Sequence, residues 1–259
     1  MEEGSAFVRA RRIQGVAALG LVLVATGLAR PAVAGPPFLT DDPEPVALRH
    51  WEAYVFSAWD ATRDATGIQG PAVEVNLGAA PGLQLHLVVP LATSSAPGVA
   101  TTHGLGDIEV GAKYRFVEET DARPQIGTFP MLELPTGSAD RGLGNGKLWA
   151  RIPVWAQKSW GPWTTYGGVG YTVNRAPGAR SYPFAGWLVQ RDLSRRLTLG
   201  GELFTHGADS VGGRSVTILN GGGYYNFNPG FSLLFSAGRT VSGERHTVAY
   251  LGLYWTWGS

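Results

Sequence analysis

The stretch Asp107-Ile108-Glu109-Val110-Gly111-Ala112-Lys113-Tyr114-Arg115-Phe116 decides how the rest of the chain is read. Its even positions are all apolar or aromatic, and its odd positions are charged or glycine. A period of two marks a β-strand whose two faces meet different surroundings. Asp107, Glu109, Lys113 and Arg115 cannot sit in the dry core between two sheets, because a charged side chain needs water or a close partner. One greasy face and one wet face over about ten residues is the pattern of a membrane barrel strand.

The same alternation recurs on both sides. Val73, Val75 and Leu77 alternate with Glu74 and Asn76, and Leu83, Leu85, Leu87 and Val89 with Gln84 and His86. Leu148, Ile152 and Val154 alternate with Trp149, Arg151 and Trp155, and Leu197, Leu199 and Leu203 with Thr198, Gly200 and Glu202. No helical period appears after Trp51. The pattern predicts strands over about 50–60, 70–78, 82–91, 106–117, 124–134, 146–157, 162–173, 183–191, 196–205, 214–225, 230–240 and 246–257. Between them, long polar or Gly-rich loops (61–69, 92–105, 135–145, 174–182, 206–213, 241–245) take turns with short ones. That sorting belongs to an all-β, antiparallel, up-and-down transmembrane β-barrel of about 12 strands, its long loops on one side of the membrane.

Composition agrees. The chain has 37 Gly, 9 Trp, 9 Tyr and 10 Phe but only 16% charged residues, against roughly 25% charged in an ordinary soluble domain. Mean hydropathy is close to zero, as expected when lipid-facing and lumen-facing residues cancel. There is no cysteine, which excludes disulfides, thiolate metal sites and cysteine nucleophiles. A net charge of +1 gives no reason to expect nucleic acid as a partner.

The N-terminus reads as an address. Arg9, Arg11 and Arg12 precede an uncharged apolar run from Ile13 to Ala29, and Ala32-Val33-Ala34-Gly35 supplies a cleavage site. These are the three parts of a secretory signal peptide, residues 1–34, cleaved near Ala34. Residues 35–49 are rich in Pro and acidic groups and read as a solvated periplasmic lead-in. The barrel then occupies residues 50–259. Its last strand, Tyr250-x-Gly252-x-x-Trp255-x-Trp257, resembles the terminal signal by which barrel assembly machinery recognises its clients, although Gly258 and Ser259 follow the last aromatic. Outer-membrane lipid and that machinery are therefore expected partners, and the bacterial outer membrane the expected location.

With the charged faces inward, the lumen is expected to hold Glu74, Asp107, Glu109, Lys113, Arg115, Glu133, Arg151 and Glu202. Such a set either selects solutes by size and charge or seals a narrow barrel with ion pairs. Trp149, Trp155, Phe129 and Tyr166 fall on the same face, as a track for aromatic solutes or as filling. Trp51, Trp59, Trp163, Trp255 and Trp257 lie near strand ends and read as interfacial aromatics. No cofactor or metal is expected, and a calcium site at Asp41, Asp42 and Glu44 is the lesser reading of those acids. His206 with Asp209-Ser210 is the one hint of a hydrolase, in an exposed loop. Gly142-Leu143-Gly144-Asn145-Gly146 has no helix after it and is no phosphate cradle.

Several motifs in order resemble the outer-membrane family described as the MetA-pathway of phenol degradation. They are Thr40-Asp41-Asp42-Pro43, Gly104-Leu105-Gly106-Asp107 running into Val110-Gly111-Ala112-Lys113-Tyr114-Arg115, Leu134-Pro135-Thr136-Gly137, Gly142 to Gly146, Gly223-Tyr224-Tyr225 and Leu251-Gly252-Leu253-Tyr254-Trp255. The resemblance implies a barrel that passes small, aromatic or hydrophobic organic molecules. The competing expectations are a closed structural or interaction barrel with a salt-bridged interior and, more remotely, a lipid-modifying enzyme.

Overall fold

The structure is a computed structural model and describes residues 36–258; the expected signal peptide lies outside the described residues. In chain order the strands are β1 (His50–Ala61), β2 (Thr66–Ala80), β3 (Leu83–Ala96), β4 (Val99–Leu105), β5 (Ile108–Val117), β6 (Gln125–Thr128), β7 (Met131–Leu134), β8 (Trp149–Trp160), β9 (Trp163–Val173), β10 (Tyr182–Asp192), β11 (Leu197–His206), β12 (Val216–Asn228), β13 (Phe231–Ser242) and β14 (Thr247–Gly258). All strand pairings are antiparallel, and β1 closes on β14 from His50↔Gly258 to Ala61↔Thr247. A closed sheet leaves no edge whose backbone groups would meet lipid unpaired.

The wall is a 12-stranded antiparallel barrel with two additional strands. The expected strand 124–134 is split, because Pro130 has no N–H to give the ladder, and β6 and β7 share its place between β5 and β8. β4 was expected as loop. It pairs with β3 beyond the point where β3 leaves β5, so the two rise above the wall as a hairpin.

The alternation sets the two faces. On the outside, Tyr114, Phe116, Ile152, Val154, Leu199, Leu203, Leu251 and Leu253 are exposed. Their strand neighbours Lys113, Trp155, Thr198, Glu202 and Tyr254 are buried inside. Trp51, Trp163 and Trp257 are exposed near strand ends. At one end of the barrel the connections are short; Pro81-Gly82 joins β2 to β3 with Gly82 at a φ of 72°, a left-handed value suited to glycine. The long loops and the β3–β4 hairpin cluster at the other end.

Residues 35–49 were expected as a solvated periplasmic lead-in; residues 36–46 run inside the barrel instead, and Ala47, Leu48 and Arg49 are exposed at its end. From β1 the chain turns back at the short-turn end, where the Arg49 amide donates to the Gly78 carbonyl (2.8 Å). It then lies as a strap up the lumen, with Thr40 and Asp42 fully buried. Pro36, Pro37, Pro43 and Pro45 bring no N–H to be satisfied there. The remaining polar groups find partners on the wall.

Candidate functional site: the lumen and its strap

The strap is held rung by rung. The Val46 amide donates to Gln84 Oε1 (2.9 Å). Arg115 on β5 donates to Glu44 (2.7 Å) and to Gln125 on β6 (3.2 Å). One turn further in, the Lys113 ammonium meets Asp41 at 2.9 Å and Asp42 at 3.2 Å. Glu202 on β11 accepts the amides of Leu39 (3.1 Å) and Thr40, and also Asn220 Nδ2 (3.0 Å). Finally Ser236 Oγ donates to the Pro37 carbonyl (2.6 Å). Glycines on the wall make room: a Cβ on Gly78 would lie 1.9 Å from the Ala47 carbonyl oxygen, and one on Gly186 would lie 2.0 Å from Thr40 Oγ1.

All eight expected lumen residues do face the interior, but most are occupied by the protein itself. Lys113, Arg115 and Glu202 grip the strap. Asp107 accepts the backbone amides of Gly137 (2.9 Å) and Asn145 (2.6 Å) and so fixes the loop after β7. Glu74 accepts from Asn76 Nδ2 (2.8 Å), and Asn76 Oδ1 meets His86 Nδ1 at 2.7 Å. The other nitrogen of His86 meets Glu109 at 2.7 Å. Arg151 lies over the rings of Phe184 and Phe204, at 4.6 and 5.6 Å from their centroids. Glu133 is Glu109's partner across β5 and β7.

Space remains beside the strap. A small cavity of about 190 Å³ is lined by Glu74, His86, Glu109, Lys113 and Arg151 among others. A larger one of about 810 Å³ opens toward the long loops, with Pro37, Phe38 and Leu39 of the strap on one side and Glu133, Trp149, Tyr182 and Tyr250 among its walls. Below it, Phe129, Met131, Trp155, Phe184 and Phe204 pack together with Leu39 against them. The expected inward aromatics are thus inward. Tyr166 is filling, Phe129 and Trp155 are buried and border the smaller cavity, and Trp149 lines the larger one.

Sequence reasoning passed over several interior residues. Glu52, which accepts from the hydroxyls of Tyr54 (3.0 Å) and Tyr254 (2.8 Å), and His86 both lie on the inward parity of strands already recognised. The strap acids were read as solvated because their partners are distant in sequence. His206 bonds the Gly207 carbonyl (2.7 Å) and packs on Tyr182, not on a serine. Among the described residues no cluster of His, Asp and Glu could hold a metal ion.

Comparison with known proteins agrees with this geometry. The sequence model of the MetA-pathway of phenol degradation family matches residues 53–256. A solved outer membrane channel from Pseudomonas putida F1 superimposes with a TM-score of 0.67 at 16% identity, over 83% of this chain and 98% of that one. The translocator domain of the autotransporter NalP from Neisseria meningitidis gives 0.55 at 12% identity, over 79% and 88%. The KdgM porin, solved in complex with disordered oligogalacturonate, gives 0.53 at 13% identity, over 78% and 98%. At such identities the likeness is one of fold. A search of curated proteins finds no match.

Proposed function

The chain belongs to the MetA-pathway of phenol degradation family, and from that membership we propose that it is an outer-membrane channel for small organic molecules of aromatic or hydrophobic character. The observation that carries the reading is the larger cavity. It lies within the closed wall, opens among the long loops, and combines aromatic surface with a few carboxylates. That mixture of apolar lining and sparse polar groups is the usual make-up of a small-molecule site.

In this reading the signal peptide is removed near Ala34, the assembly machinery takes the barrel by its C-terminal strand, and outer-membrane lipid surrounds the greasy outer face. The long loops then face outward and both ends of the barrel chain lie on the periplasmic side. The strap narrows the path, so conductance is small. Purified protein in planar bilayers and in liposome-swelling assays should pass small neutral solutes. Silence in both, with heat-modifiable gel migration proving a folded barrel, overturns the reading.

A second reading has its own observation in its favour. The strap is pinned at Lys113, Arg115, Glu202 and Ser236, as a closed interaction barrel would require. It expects no flux through the intact protein and flux once the pins are removed.

A further inference from the structure

The outer face of the wall changes character along β11–β14. Over most of its height it is apolar, with Phe235 and Ala237 on β13 and Leu253, Leu251 and Ala249 on β14 in outward positions. Toward the long loops the outward positions turn polar. Thr205 and Thr217 pair across β11 and β12, and Arg239 on β13 stands between Leu219 and Thr247. Arg239 is exposed and points outward, since Leu234 and Ser236, of the opposite parity on β13, are buried inside.

Two further exposed arginines lie beyond it. Arg214 leads into β12, and Arg245 lies in the turn between β13 and β14. These segments touch: a Cβ on Gly243 would lie 2.0 Å from the Ser215 carbonyl oxygen. None of the three arginines has an ion pair among the described residues. Of the acids nearby, Asp60 is engaged by His246, which leaves Glu244 alone beside three cations. The outward arginine at the other end of the wall, Arg191 on β10, lies over the Trp163 ring at 5.1 Å instead. An arginine where a barrel wall turns polar stands at the level of lipid headgroups, and its planar fork matches a phosphate.

A separate feature lies next to Arg239 on the apolar side. Gly221, Ala237 and Ala249 are cross-strand neighbours on the outward face. A Cβ on Gly221 would meet only the Gly200 carbonyl oxygen, at 3.9 Å, so the space over it is open to the lipid side. Leu219 and Leu251 project on either side of this row, 55% and 50% exposed. The row is therefore a shallow dip in the apolar wall, where an acyl chain gains more van der Waals contact than on a smooth surface.

We infer that Arg214, Arg239 and Arg245 dock a phosphorylated lipid of the lipid A type. Its phosphates meet the three guanidiniums, and an acyl chain lies in the dip over Gly221, Ala237 and Ala249. Three unpaired cations on adjoining segments exceed what one phosphodiester needs and suit a headgroup with more than one phosphate. The inference rests on the long loops facing the outer leaflet, not on passage of solute.

The test is native mass spectrometry of the purified protein in a non-ionic detergent, with a chelator to exclude divalent bridges. The probes are bisphosphorylated lipid A, dephosphorylated lipid A and phosphatidylglycerol. Bisphosphorylated lipid A should bind most tightly, and added salt should weaken it. Arg239→Gln should weaken it by about five-fold, as expected for one cation at a charged lipid surface, and changing all three arginines to Gln should remove the preference for phosphate. Arg191→Gln should leave binding unchanged. Ala237→Phe, which fills the dip without touching charge, should weaken both forms of lipid A. Heat-modifiable migration checks that each variant is a folded barrel. Equal binding of the three probes, a preference kept in the triple variant, a loss as large in Arg191→Gln as in Arg239→Gln, or a second copy of the chain bound in place of lipid overturns the inference. Liposome swelling separates this inference from the channel reading. Solute flux without lipid A preference removes the inference and leaves the channel. Lipid A preference without any flux removes the channel and leaves the lipid site.

Discussion

The ammonium of Lys113 lies 2.9 Å from a carboxylate oxygen of Asp41, 72 residues earlier in the chain, and ties the middle of the strap to β5. Asp42 completes the arrangement at 3.2 Å. Lys113 is 3% exposed and Asp42 fully buried. Losing one partner of a buried ion pair costs roughly 3–5 kcal/mol, because the other charge is stranded. Lys113→Met should therefore release the strap rather than unfold the barrel, since the wall's ladder does not pass through that side chain. Planar-bilayer conductance should rise, and residues 36–46 should become open to protease. Adding Asp41→Asn and Asp42→Asn to Lys113→Met removes the stranded charges and should return conductance toward the parent value. A triple variant as leaky as the single one would show that Lys113 does not act through these acids.

Glu202 is the second pin. Its carboxylate takes two consecutive strap amides, Leu39 and Thr40, together with Asn220. Hydrogen bonds to a charged acceptor are each worth about 1.5–3 kcal/mol. Glu202→Gln keeps the shape but loses the charge and one acceptor oxygen. Amide exchange at Leu39 and Thr40 should speed up by roughly ten- to a hundred-fold, at about 1.4 kcal/mol per decade, while exchange in β9 and β10 stays as it was. Uniform acceleration across the barrel would mean that Glu202 supports the wall, not the strap.

Gly186 tests fit without touching charge. Its absent side chain leaves room for Thr40, whose Oγ1 and Cβ would lie 2.0 and 2.9 Å from an added Cβ. Gly186→Val should push the strap aside and raise conductance, with barrel assembly intact by heat-modifiable migration. Gly201→Val, whose added Cβ would find only the Asn220 carbonyl oxygen at 4.0 Å, is the control and should leave conductance unchanged.

The wall was legible because its signal is local. Two environments act on alternate residues, so Ile108 to Phe116 alone reveals a strand, and the loops punctuate the rest. Pro130 is a partial exception. Its effect on the ladder is local chemistry, yet the apolar run across 124–134 hid the break. The strap was not legible, because what buries it is not local. Asp41 and Asp42 read as solvated acids until Lys113 is placed opposite them, and nothing near Thr40 in sequence announces Glu202, 162 residues away. The β3–β4 hairpin was missed for a related reason: its side chains are exposed or half-buried on both faces, so no alternation develops. Alternation places the eight charges on the inner face, but it could not separate those that grip the strap from those that border the open cavity. That division depends on where the strap runs.

The loop between β13 and β14 carries a pH-sensitive clasp. His246 Nδ1 lies 2.8 Å from Asp60 at the rim of β1. The hydrogen bond to Asp60 raises the imidazole above its ordinary value of 6.5, against a smaller opposing effect of partial burial. A group whose folded-state value is raised contributes stability that is fully present below the unfolded value and is lost as pH rises through the folded one. The clasp should therefore be closed at mildly acid pH and loosen as the medium becomes alkaline. Because it sits at the mouth of the larger cavity, loosening should show as more frequent conductance fluctuations, with a midpoint above 6.5. Imidazole NMR should report the same midpoint for His246, and Asp60→Asn should bring it back toward that of a free histidine and remove the pH dependence of the fluctuations. If the fluctuations keep their pH dependence in that variant, another group is the sensor.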